Sequence, residues 1–200
     1  MDIEASDRQQ PWPKRSLPFV IIVLVATAAV IVLTTAPFAT LIGPSAYALA
    51  GALHGMFAFL LLVVMTIGLY LAWSLFIGRL KAFSDLQLIT TVMATLAFLT
   101  ILFGNWVYIA YRANTADSPR SYFLEKMPDV HKIFFEFKEY VALFTLPLSV
   151  AAAFIVWRYG RQILERDWTR AAVAILIALH FFYFVLAFGL GAAVTKLRSI

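Results

Sequence analysis

Residues 128–140, from Pro128 to Tyr140, set His131, Lys132, Glu136, Lys138 and Glu139 into what otherwise reads as the start of an apolar helix. Ionisable groups that close to hydrocarbon are costly and tend to mark function. An imidazole titrates near neutrality, a carboxylate takes protons and a lysine offsets anions. The set could therefore relay protons, hold a metal or dock a charged partner. In an α-helix, Phe135 and Lys138 share the stripe of His131 at i+4 and i+7. Glu136 and Glu139, five and eight residues on, fall around the helix from that stripe. They repel each other unless Lys132, Lys138 or another chain pairs with them. A solvated helix start at a membrane interface is the plainer account of the same residues.

Two further histidines, His54 and His180, complete the complement of three, and the sequence has no cysteine. Thiolate metal sites, disulfides and covalent c-type haem are thereby excluded. A b-type haem held by two histidines remains the natural cofactor, provided that both ligands sit at the same depth. His54 lies 25 residues before Arg79 and His131 lies 27 before Arg158, a mismatch of only ~3 Å at helical rise. His180 is 10 residues beyond Arg170, or ~15 Å from that end. His54 and His131 are thus the expected axial ligands. Counting instead from Pro44 places His54 about 15 Å below the other boundary, which keeps His180 as the alternative ligand. Lys138 and Arg120 are the expected partners of the haem propionates.

Each histidine also has a plainer reading. His54 sits in Gly51-Ala52-Leu53-His54-Gly55, where small residues could make room for a flat ring or simply let two helices approach. His180 lies among Phe181, Phe182, Tyr183 and Phe184, a surround that suits a porphyrin wall or an aromatic core. Met56 falls on the opposite side of the helix from His54, so no copper set forms.

Stepping out to the elements, 62% of the 200 residues are hydrophobic and 14% charged. That balance requires a bilayer as solvent. The expected fold is all-α, a polytopic membrane protein with a bundle of five transmembrane helices. The spans fall at about 17–36, 45–77, 87–111, 131–157 and 169–194, in a single domain (17–200) behind a tail over 1–16. Residues 113–130 are expected to form a polar loop. The acidic, proline-bearing tail does not resemble a cleavable signal, so the first span is read as retained. Lysine and arginine favour the N-tail side nine to seven, and the first connection on the other side carries none. The N-terminus is therefore expected in the cytoplasm and the 113–130 loop outside it. The net charge of +5 is dispersed at helix ends, so no nucleic-acid partner is expected. Aromatics at the span ends, including Tyr108 and Tyr111, fit interfacial belts. Arg158, Arg161, Arg166 and Arg170, with Glu165 and Asp167, form a charged cluster whose plainer reading is a solvated loop, with lipid head groups or another subunit as the alternative partners. There is no P-loop, nucleotide fingerprint, H-E-x-x-H pair or nucleophile elbow.

With His54, His131 and His180 in a five-span frame, the chain resembles in plan the small b-type cytochrome subunits that anchor bacterial respiratory and oxidoreductase complexes. The resemblance implies one haem b, or two, with quinone a further candidate. It implies a bacterial inner (plasma) membrane location and partner subunits in the membrane or outside it. The expected role is a non-catalytic redox subunit passing electrons between the quinone pool and a partner protein. The alternatives are a cofactor-free accessory or assembly subunit, and an ion or small-solute transporter with Glu136 and Glu139 on its pathway.

Overall fold

The computed structural model describes residues 46–113, 115–116 and 118–197. Among these the chain is all-helical, and four helices are long and apolar enough to cross a membrane. These are α1 (Ala46–Phe76), α2 (Phe83–Tyr111), α4 (Glu136–Tyr159) and α5 (Asp167–Leu197), with a short α3 (Pro119–Lys126) between α2 and α4. A π-helical turn, Val130–Phe135, leads into α4, and a 3-10 turn, Gly160–Glu165, joins α4 to α5. The four long helices match the second to fifth expected spans. The expected first span, 17–36, lies outside the described residues.

α1 packs on α2, α2 on α4, α4 on α5 and α5 on α1, while the diagonal pairs meet little or not at all. The result is a square ring of antiparallel helices. Cross-contacts fix its register. Phe57 stacks on Phe103, the Trp157 indole N–H donates to Thr91 Oγ1 at 2.8 Å, and Phe144 stacks on Tyr183. One end of the ring, here the head, gathers the start of α1, the end of α2, the start of α4 and the end of α5. The opposite end is the base.

Each of the four long helices is apolar around most of its circumference, as expected of a helix with protein on one side and hydrocarbon on the other. Leu61, Val64, Met65, Leu86, Ile89, Met93, Ala152, Val156, Val173 and Ile177 fill the interior. Tyr70, Trp73, Ile109, Phe154, Trp168 and Phe182 point outward and are more than half exposed. Contiguous outward apolar surface of this kind is tolerated by lipid and rarely by water.

The turns have local causes. α1 stops at Gly78, whose φ of +69° suits glycine. The Arg79 N–H returns to Ser74 O at 2.8 Å, closing a Schellman-type cap. The Arg170 guanidinium lies against this glycine, 3.2 Å from where a Cβ would stand. It also donates to Leu164 O at 3.0 Å and pairs with Asp167. Arg170 thereby ties the ends of α1, the 3-10 turn and α5 together at the base.

The segment expected as a loop over 113–130 instead holds α3. Ser118 caps it by accepting from the Ser121 N–H at 3.2 Å, and Pro119 occupies the first turn. Both are strong helix-start choices. Phe123 of α3 is fully buried with Tyr111 and Val194, so α3 closes the head.

Candidate functional site

Tyr108, Tyr111, His131, Glu136, Lys138 and Glu139 gather toward the head, and the π turn organises them. In a π turn the backbone bond runs from residue i+5 to residue i. Here the Glu136 N–H donates to His131 O. Residues five apart are thus stacked, and Glu136 comes over the histidine: Oε1 stands 3.9 Å from His131 Nε2. This corrects the α-helical expectation that Glu136 lies away from His131. On the other side of the ring, the Tyr111 hydroxyl hydrogen-bonds His131 Nδ1 at 2.9 Å. With Nε2 protonated toward the carboxylate, Nδ1 accepts from the tyrosine. His131 itself is only 2% exposed.

The same change of pitch separates His131 from Lys138. His131 turns toward α2, whereas Lys138 lies against Gly191 of α5, its Cε 3.4 Å from where a Cβ would stand. The Lys138 ammonium is 5.6 Å from the Phe135 ring centroid and within electrostatic reach of His54 and Glu139. Among the described residues it makes no hydrogen bond or ion pair. His54 is on α1, diagonally opposite α4, so Lys138 leans across the mouth of the ring. The expected placement of Lys138 beneath His131 is not what the chain adopts.

Aromatic rings wall this cluster. Phe135 stacks on Tyr111 with centroids 4.2 Å apart, Tyr108 stacks on both, and the Arg112 guanidinium lies 4.4 Å over Tyr108. The Tyr108 hydroxyl is buried near Glu139 without closing a hydrogen bond of ordinary length. The sequence reading gave these tyrosines to an interfacial belt. Only the pairing of the α2 end with the π turn reveals them as site residues. Arg120, on α3, is exposed and acts on His131 at longer range.

His54 is held differently. Its Nδ1–H donates to Thr100 O at 2.8 Å, leaving Nε2 with the free lone pair. Its ring lies on Gly104 of α2, where a Cβ would stand 3.0 Å from Cε1. Gly104 provides the room expected from Gly51 and Gly55, at which an added Cβ would meet nothing within 4 Å. His180 is fully buried on the inner stripe of α5, and neither ring nitrogen has a hydrogen-bond partner.

These positions test whether a haem fits. His131 is level with Tyr111 and His54 with Thr100, eleven residues apart on α2. Eleven residues of α-helix amount to ~16 Å. His180 lies eleven residues toward the base from Gly191, the residue that meets Lys138. It is therefore ~16 Å deeper than the Lys138 level, and deeper than His54 as well. By these contacts His131 stands nearest the head, with His54 and then His180 toward the base. Among the described residues, no group of three or more His, Asp or Glu side chains comes close enough to hold a metal ion.

Comparison with protein-family models, with curated proteins and with solved structures finds no match to this chain.

Proposed function

We propose that the chain is a cofactor-free, multi-pass subunit of a membrane complex that conducts protons across the membrane by way of its head and the bundle interior. The observation carrying this reading is the buried His131, bracketed by Tyr111 on one ring nitrogen and Glu136 on the other. An imidazole so placed can take a proton at one nitrogen and release one at the other. Ionisable groups inside spans mark such relays, and single π turns occur frequently at functional sites. Glu139, Tyr108, Lys138 and His54 continue the ionisable set toward the ring interior. By the distribution of lysine and arginine the head faces away from the cytoplasm, in a bacterial inner membrane. The basic base then meets anionic lipid.

Purified protein in liposomes carrying an internal pH dye and a valinomycin-set potential is expected to acidify or alkalinise with the imposed voltage. His131→Phe and Glu136→Gln are each expected to slow this at least ~10-fold, the low end of what one positioned proton-transfer group contributes. Wild-type flux no greater than that of empty liposomes would sink the reading. The electron-relay alternative needs two histidines on one iron. The reduced-minus-oxidised spectrum of the purified protein is accordingly expected to lack a b-type band, and a band lost in His54→Ala would restore that alternative.

A further inference from the structure

His180 has no role in the head, yet it is the most anomalous polar group in the bundle. It is 0% exposed, and both ring nitrogens lack a partner among the described residues. A buried unpaired polar group is costly and calls for an explanation, commonly a bound water or ion. Its surroundings at that depth are not uniformly apolar. Phe144 stacks on Tyr183, so His180, one turn further toward the base on α5, is level with residue 147 of the antiparallel α4. Thr145 and Ser149 flank that level, one turn apart on the buried stripe of α4.

Both hydroxyls spend their hydrogen on their own helix, Thr145 Oγ1 donating to Ala142 O at 2.6 Å and Ser149 Oγ to Leu146 O at 2.8 Å. Their oxygen lone pairs remain free to accept. A neutral imidazole with one donor and one acceptor and two accepting hydroxyls together offer a water the two to four partners it needs.

We propose that His180, with the Thr145 and Ser149 hydroxyls, binds water at mid-bundle and serves as the inner proton acceptor of the path that begins at the head. This rests on the proton-handling role proposed above. α1 and α4 are the long helices packed against α5. Among the described residues, the ionisable groups they carry on the head side are His54, Glu136, Lys138 and Glu139, and all lie above His180. Below it, the buried polar side chains on the base side are, among the described residues, the threonines Thr90 of α2 and Thr169 of α5.

Water-edited solid-state NMR of the full-length, 15N-histidine-labelled protein in liposomes tests the water site. The His180 ring nitrogens are expected to receive magnetisation from water several-fold faster than the backbone amides of Ile177 and Val173. Transfer as slow as in those amides would overturn the inference. His180→Gln keeps hydrogen-bonding capacity but cannot be protonated. It is expected to retain its fold and lose at least ~10-fold in flux. If it misfolds, Ser149→Ala provides the second variant, with slower water transfer to His180 expected. A hydrated His180 with unchanged flux in His180→Gln would also overturn it, while the relay at the head would stand. Wild-type protein without flux would instead remove the relay, and with it the acceptor role.

Discussion

A methyl group on Gly104 probes how tightly His54 is held. The added Cβ would stand 3.0–3.1 Å from Cε1 and Nδ1, closer than ordinary contact, and the backbone on both sides is helical. The ring must then shift by a few tenths of an ångström, which strains its hydrogen bond to Thr100 O. Gly104→Ala is expected to cost about 1–3 kcal/mol by overpacking, read as a lower midpoint of thermal unfolding in detergent. A displaced 15N resonance of His54 Nδ1 is expected with it, since the hydrogen bond of that nitrogen is strained. Gly55→Ala, which meets open space, is expected to leave both unchanged. The contrast separates the glycine that serves the histidine from the one whose spacing suggested it.

At the scale of elements, the π turn is a single extra residue in a helix that would otherwise run on. Deleting Phe134, whose side chain points outward, should convert the turn to α-helix. His131 and Glu136 would then stand four apart and still share a face, because the i+4 bond of an α-helix performs the alignment that i+5 performs here. The deletion variant is expected to keep its helical circular dichroism and its His131–Tyr111 contact, the latter checked by the tyrosine hydroxyl resonance. Inserting an alanine after Phe135 should break that contact.

The same turn shows where sequence reading stops. The long helices were legible because hydrocarbon demands some 20 apolar residues, and 45–77, 87–111 and 169–194 supply them without ambiguity. A one-residue change of helical pitch leaves no compositional trace. The stripe drawn through His131 therefore carried Lys138 and excluded Glu136, the reverse of the arrangement found. Tyr111 was hidden for a related reason: its role depends on a partner twenty residues away across a turn. The cap formed by Ser118 and Pro119 was visible as punctuation, but its reading as a helix start needed the burial of Phe123.

For the whole molecule, the lack of native cysteine makes topology directly measurable. Single cysteines at Ser121 in α3 and Arg161 in the 3-10 turn sit at opposite ends of the ring. In intact cells, a membrane-impermeant maleimide is expected to label Ser121→Cys and to reach Arg161→Cys only after permeabilisation. The reverse pattern would invert the proposed orientation while leaving the fold intact.

The ring also divides lengthwise into unlike halves. Among the described residues, the ionisable side chains inside the ring lie from the head down to His180, whereas between there and Arg170 the buried side chains are apolar apart from hydroxyls such as that of Thr90. That lower half is ~15 Å thick. In an energised membrane, voltage falls mainly across the layer that polarises least, so most of the field would concentrate between His180 and the base. A charge gained at His180 would then sit at the upper edge of the drop. A full crossing is worth about 2.3 kcal/mol per 100 mV, but a proton reaching His180 from the head would cross little of that drop. The pH outside the cell, more than its polarity, would therefore set how often that site is charged.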